Sequence, residues 1–285
     1  MVHVFQKPIE LKPGEYRSLA RLIYDKSGIS LGDHKQEFMK TRLGKRLRAL
    51  GLDTYAEYFN FVSESQDDGE LMLMINAIST NFTSFYRERQ HFDFLTGQAL
   101  PEILRRKNAE KSTRVRAWCA AASTGEEPYT LALTLAEFFS RMPTFDVKLL
   151  ATDISTKVLA QAMEGVYTFD KVKTVPPALL ERYFDRTQVD KESMYQVSAR
   201  LKAMITFRRL NLMEASFPFR GPFDFISCRN VMIYFDPPTQ AAVVDKLLRM
   251  LLPGGYLLIG HSENLPATFR TRVDVLAPAT YRKIR

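Results

Sequence analysis

The chain has 285 residues, 46% of them apolar and 25% charged, with a formal net charge of +8. That is long and apolar enough for one large or two ordinary globular domains, and it excludes a disordered or fibrous chain. No apolar run reaches the ~18–20 residues of a membrane span, and the opening stretch MVHVFQKPIELKPGEY lacks an apolar h-region, so no signal peptide, no membrane insertion and a reducing, cytoplasmic compartment are expected. The two cysteines, Cys119 and Cys228, lie in apolar strand-like runs and read as buried thiols. The histidines at 3, 34, 91 and 261 are scattered without metal-ligand spacing, so no metal is expected. The excess of positive charge points to an acidic partner.

From Pro13 to about Lys107 the pattern is helical. Tyr16, Leu19, Ala20 and Ile23 recur at helical spacing up to Gly28. A second helix is predicted from His34 to Leu50, ended by Gly51. Met39, Leu43, Leu47 and Leu50 give it an apolar face; Lys35, Arg42, Lys45 and Arg46 share another, flanked by Lys40 and Arg48. Six basic residues against Glu37 alone make it about +5, a one-sided charge that favours docking to an acidic surface. Helices at Thr54–Val62 and Asp67–Ile78 follow, separated by a polar turn ending at Gln66. The stretch STNFTSFYRE, Ser79 to Glu88, is too polar for a core strand and too aromatic for an idle loop. Its Asn81 and Thr83 offer uncharged hydrogen-bonding groups, and Arg87 a fork of donors suited to a carboxylate. Helices near Arg89–Leu95 and Gly97–Arg106 close this region, and the charged link Arg105–Arg114 is the expected boundary, giving domains 1–107 and 108–285.

Arg114 to Tyr129 reads as a strand, six small residues from Ala120 to Gly125, and a helix N-terminus, with Ser123 and Thr124 as candidate caps. In an open α/β sheet a nucleotide-like ligand sits at such a turn. Glu126 and Glu127 either merely cap the helix, whose dipole they suit, or mark a ligand site; they would repel a pyrophosphate, so a cationic or hydroxyl-rich ligand such as S-adenosylmethionine (SAM) fits better there. Asp153, ending the second strand 28 residues after Gly125, is placed to take two ribose hydroxyls; Ser155 caps the helix that follows. Residues 165–204 break the rhythm: a short helix from Pro176-Pro177 to Tyr183, then alternating runs Met194–Val197 and Ile205–Arg209, read as a small antiparallel unit inserted at 185–209. Asn211 serves a base edge or forms a turn. Phe223–Cys228 is a strand ending in Arg229-Asn230. Asp236-Pro237-Pro238 looks like an amino-methylation motif, but it falls too late, lacks the aromatic, and is explained as a helix start. A helix at Thr239–Leu252, a strand at Tyr256–Gly260 and an antiparallel hairpin at Val273–Leu276 and Thr280–Ile284 complete the order. The expected class is α/β: a small all-helical N-terminal domain, then a domain whose strand order, antiparallel at its end, resembles the Rossmann-like class I methyltransferase sheet, with an inserted antiparallel β-subdomain.

The strings STNFTSFYRE, WCAAASTGEEPY, ATDIS, FISCRNVMIYF and LLPGGYLLIGHSEN, in this order, resemble the chemotaxis receptor methyltransferases, the CheR family. The resemblance spans essentially the whole chain. It implies a SAM-dependent O-methyltransferase acting on glutamate side chains in the cytoplasmic helical domain of membrane chemoreceptors, without nucleic acid and as a monomer. It sets SAM against Asn81, Thr83, Arg87, Glu127, Asp153, Asn211, Leu212, Arg229 and Asn230, and Tyr234 near the transferred methyl. It places the basic helix (Lys40, Arg42, Lys45, Arg46, Arg48) on the receptor. In some members the β-subdomain binds a receptor C-terminal peptide, but RTQVDKESMYQ carries no family string that would extend this here.

The chemistry agrees with that implication. A glutamate acceptor is ionised at pH 7, so no general base is required, and Arg87 and Tyr234 are the candidates to orient it. An RNA methyltransferase is the rival reading, yet the charge is one helix wide with no interleaved stacking aromatics. A non-catalytic SAM-sensing scaffold would have shed its pocket residues, and here they are all present.

Overall fold

The computed structural model describes residues 9–65, 68–189, 192–219 and 221–284. They form two compact units, Met1–Thr80 and Asn81–Arg285. The first holds four helices, α1 (Pro13–Ser27), α2 (Gln36–Leu50), α3 (Tyr55–Glu64) and α4 (Gly69–Ile78). The expected helix start at Asp67 lies outside the described residues. Local chemistry sets one end of each of the first three helices. Gly28 and Gly51 turn the chain left-handed after α1 and α2. Thr54 and Glu57 close a capping box on α3. Leu19, Ile23, Met39, Leu43, Leu47, Tyr55, Tyr58 and Met74 are fully buried in this unit's core. Inside it, Glu70 takes both Arg46 Nε (2.9 Å) and Nη2 (2.6 Å), and accepts the Tyr58 hydroxyl at 2.9 Å.

In the second unit, α5 (Gln90–Phe94), a wider π turn (Leu95–Ala99) and α6 (Leu100–Ala109) lead into the sheet. The unit boundary therefore falls at residue 80, not at 107. The reason is packing: Phe92, Leu95, Leu100 and Ile103 are buried in the same core as Val115, Ala117 and Leu133. In addition, Arg106 (2.6 Å) and Lys107 (2.9 Å) reach the buried Asp224 carboxylate.

The chain then runs β1 (Arg114–Ala120), α7 (Glu126–Phe138), β2 (Asp146–Asp153), α8 (Thr156–Glu164), β3 (Val166–Thr168), α9 (Phe169–Val172), α10 (Pro177–Tyr183), β4 (Phe184–Val189), β5 (Glu192–Val197) and α11 (Ala199–Lys202). It finishes with β6 (Ile205–Arg209), β7 (Phe223–Cys228), α12 (Pro237–Met250), β8 (Leu251–Ile259), β9 (Val273–Ala277) and β10 (Thr280–Lys283). The main sheet has the order β6-β2-β1-β7-β8-β10-β9. Strands β6, β2, β1, β7 and β8 are parallel, and β10 lies antiparallel between β8 and β9. This is the expected class I methyltransferase sheet, with its last strand inserted before its penultimate one.

The inserted sheet begins and ends earlier than expected, running from Val166 to Val197. It is β3-β5-β4, all antiparallel. Ile205–Arg209 belongs instead to the main sheet, where β6 pairs in parallel with β2 from Leu149↔Ile205 to Asp153↔Arg209. Alternation at period two identifies a strand but not its neighbour. The lone tryptophan, Trp118, is fully buried on β1; its indole N–H donates to Thr152 Oγ1 at 2.9 Å and its ring meets Phe217, Phe219 and Phe223. Both cysteines are buried, and burial pushes both thiols up. Among the described residues, no helix is long and apolar enough to cross a membrane.

Candidate active site

The register Thr152↔Ala120↔Cys228 brings the carboxyl ends of β1, β2 and β7 to one edge of the sheet. The small-residue turn begins there. Ala122 N donates to Thr152 O at 2.8 Å, and φ is positive at Ala121 (72°), Ser123 (49°) and Gly125 (100°). Left-handed non-glycine residues cost ~1–3 kcal/mol each and persist where the surroundings over-determine them. Five of the seven among the described residues flank this edge: Tyr86, Glu88, Ala121, Ser123 and Asn230. Gly125, not Ser123 or Thr124, occupies the N-cap of α7. Those two side chains are used elsewhere: the Ser123 hydroxyl donates to Asn81 O at 3.0 Å, and the Thr124 hydroxyl to Glu126 Oε2 at 2.6 Å.

Asp153 closes the turn from β2. Its Oδ2 accepts Ser123 N and its Oδ1 accepts Ser155 N, both at 2.9 Å, while Ser155 caps α8 as expected. Burial raises the carboxyl pKa, opposed by the N–H groups of Ser155, Ser123 and Ile154. Each carboxylate oxygen retains a second lone pair, the acceptor capacity a ribose diol requires.

A buried charge cluster forms the opposite side. The Arg229 side chain is 1% exposed; its Nη1 lies 2.9 Å from Glu127 Oε2 and its Nη2 3.1 Å from Glu88 Oε2. Nη2 also donates to the carbonyl of Arg87. Glu127 Oε1 accepts the Ser227 hydroxyl at 2.6 Å. Glu88 Oε1 accepts Asn230 Nδ2 (3.1 Å) and His261 N (3.2 Å). Burial works to raise the Glu88 pKa, but these hydrogen bonds and the Arg229 charge outweigh it, and the net shift is downward. So Arg229, expected at the cofactor, has an internal set of partners, and Glu88, absent from the expected site, is the hub tying Arg229, Asn230 and His261 together. Its signal in the sequence was its place directly after Arg87 in STNFTSFYRE.

Glu263 is the second residue the sequence reading passed over. Its carboxylate accepts Gly260 N (2.6 Å), Asn230 N (3.0 Å) and Ile233 N (3.2 Å), which fixes the segment between Asn230 and the 3-10 turn Met232–Tyr234. Burial raises its pKa against those N–H groups.

The side chains of Asn81 and Thr83 and the Tyr234 hydroxyl make no hydrogen bond to protein among the described residues. Arg87 donates to Phe82 O at 2.9 Å and lies 5.5 Å from the Phe82 ring, which is 76% exposed. Asn211 closes a turn, its Oδ1 accepting Met213 N at 3.0 Å. Leu212 is buried with Leu210 and Trp118, and Leu210 N reaches Asp153 O at 3.0 Å.

The scattered histidines are less scattered in space. His91 and His261 lie with ring centroids 4.6 Å apart, and with Glu88 they form a three-donor cluster. Glu88 already receives Arg229, Asn230 and His261 N–H groups, which occupies the carboxylate a cation would need. Burial, then the charges of Arg229 and His261, push His91 down to about 4.

On α2, Lys40, Lys45 and Arg48 line one groove with Glu37 and Tyr55, and Arg42 is exposed beside Phe38. Arg46, expected among them, is drawn inward by Glu70.

Residues 81–281 match the family model described as CheR methyltransferase, SAM binding domain, and residues 14–79 match CheR methyltransferase, all-alpha domain. The chain is 40% identical over 280 residues to the chemotaxis protein methyltransferase of Borreliella burgdorferi, covering 98% of this chain and 97% of that one. It is 41% identical to the probable chemotaxis protein methyltransferase of Rhizobium etli (92% and 96% covered) and 42% identical to the chemotaxis protein methyltransferase of Salmonella typhimurium (90% and 85%).

Proposed function

Because the chain belongs to the CheR methyltransferase family, a family of SAM-dependent methyltransferases, we propose that it methylates glutamate carboxylates in the cytoplasmic helical domain of a membrane chemoreceptor. The products are glutamyl methyl esters and S-adenosylhomocysteine, the role is sensory adaptation, and the enzyme works in the cytoplasm as a monomer. One observation carries the reading. Asp153, Glu127 and the Arg229-Asn230 pair converge on the turn of small residues at the carboxyl edge of a class I sheet.

The residues fit SAM. The turn from Ala120 to Gly125 admits a close ligand, Asp153 suits the ribose hydroxyls, and Asn81 and Thr83 retain unshared polar groups. SAM, when bound, supplies a methyl group on a sulfonium. Arg87 and Tyr234 orient the acceptor carboxylate. That carboxylate is already ionised at pH 7, so the protein need not move a proton. Charge is lost as an anion meets a sulfonium, so excluding water favours transfer, and alignment supplies much of the rest. The carboxylates of Glu88 and Glu127 balance Arg229, which keeps a buried cation from repelling the sulfonium.

Lys40, Arg42, Lys45 and Arg48 form the receptor-facing surface, with Arg46 holding α2 in place. A receptor C-terminal peptide is a candidate second ligand of the β-subdomain: among the described residues β4 is paired only with β5, leaving an edge to which a strand can add.

The test is transfer of radiolabelled methyl from SAM to a receptor cytoplasmic fragment, followed by mild base. Label released as methanol supports a carboxyl ester. Base-stable label moves the acceptor to nitrogen, carbon or an ether oxygen and overturns the glutamate reading.

A further inference from the structure

The β-subdomain touches both walls of the cofactor site. Tyr167, on β3, is 5% exposed, and its hydroxyl donates to Thr124 O in the small-residue turn at 2.8 Å. The next residue is Gly125, where an added Cβ would lie 2.6 Å from that same hydroxyl oxygen. The turn thus lacks a side chain where Tyr167 enters. Lys171, on α9, adds a second tie: its Nζ lies 3.0 Å from Oε1 of the buried Glu126, whose Oε2 accepts the Thr124 hydroxyl.

The other wall is the loop carrying Asn81, Thr83 and Arg87. Its Phe85 is 1% exposed and meets the Tyr167 ring edge-on at 5.1 Å and the Phe184 ring at 5.8 Å. The Thr174 hydroxyl donates to Phe85 O at 3.0 Å. One inserted segment, from Tyr167 to Phe184, therefore holds the turn that would face SAM and the loop that bears Arg87.

We propose that this segment braces the cofactor site and that Tyr167 is a positioning residue for SAM, acting through the Thr124 carbonyl and the Phe85 ring. The proposal rests on SAM occupying the site described above. It gives the β-subdomain a part in cofactor binding, distinct from any part in holding a peptide.

Tyr167→Phe removes the hydroxyl and keeps the ring. Tyr58→Phe is the matched control: it loses a 2.9 Å hydrogen bond to Glu70, outside the bracing segment. With S-adenosylhomocysteine in the calorimeter, Tyr167→Phe is expected to weaken binding five- to tenfold and Tyr58→Phe less than twofold. The KM for SAM should rise with kcat nearly unchanged. Equal affinity in Tyr167→Phe and the unaltered protein overturns the brace; no binding by the unaltered protein overturns the SAM site itself. Should Tyr167→Phe fail to fold, Lys171→Met, at a half-exposed residue, asks the same question. It is expected to weaken binding at least threefold, and an unchanged affinity would count against the brace.

Discussion

Arg87 and Arg229 are both read from the sequence as arginines facing the cofactor. The structure separates them. Arg229 is enclosed between Glu88 and Glu127, so Arg229→Ala strands two carboxylates. Breaking a buried pair costs about 3–5 kcal/mol, and a fall of that order in unfolding free energy is expected in urea. Among the described residues, the Arg87 side chain is tied only to Phe82. Arg87→Ala should therefore leave the urea midpoint within about 0.5 kcal/mol of the parent while lowering kcat/KM by about a hundredfold, the usual size for losing one orienting charge. If both variants unfold alike, the division of roles is wrong.

A second test at this scale concerns His91. It is buried and neutral in the fold, with its pKa at about 4, against ~6.5 in the unfolded chain. Between those values the unfolded state binds a proton that the native state refuses. Stability is thus fully present above pH 6.5 and is lost as pH falls toward 4, by up to about 3 kcal/mol. Glu88 adds to the loss lower down, since its depressed pKa confers stability above its ordinary value and loses it as pH falls through the native one. Denaturation at pH 7 and pH 5 should show His91→Gln losing much less stability than the parent.

At the scale of elements, α2 divides its cations between two tasks. Arg48→Glu combined with Lys45→Glu is expected to raise the KM for a receptor fragment about tenfold while leaving S-adenosylhomocysteine affinity unchanged. Arg46→Ala should act on stability instead, because it leaves Glu70, 8% exposed, without its cation. Elements are also where the sequence is most readable. Hydrophobic period and the glycine stops locate α1 and α2, and Asp236 with Pro237 starts α12 as expected. What local pattern cannot carry is the partner. Helix α6 looks like the end of a helical domain until its Arg106 and Ile103 are seen against the sheet. Strand β6 looks like part of the insertion until it is seen beside β2. The same limit hid the site's hub. Asp153 and Glu127 follow from their places at strand and helix ends, but Glu88 and Glu263 act on residues more than 25 positions away.

For the whole molecule, ligand binding should appear as stability. A ligand at 100 times its Kd adds about 2.7 kcal/mol to the state that binds it. With saturating S-adenosylhomocysteine the unit at Asn81–Arg285 is therefore expected to unfold later than without it. An unchanged transition would sink the cofactor assignment independently of any activity assay.

That unit also contains its own optical label. Trp118 is the lone tryptophan, it is fully buried on the central strand, and its indole N–H is bonded to Thr152, the neighbour of Asp153. Excitation near 295 nm is therefore blind to the first eighty residues. The emission wavelength records melting of the sheet alone, while circular dichroism sums both units. Comparing the two traces in one titration would show whether the protein melts as one body or as two, with no dye, no labelling chemistry and no substitution.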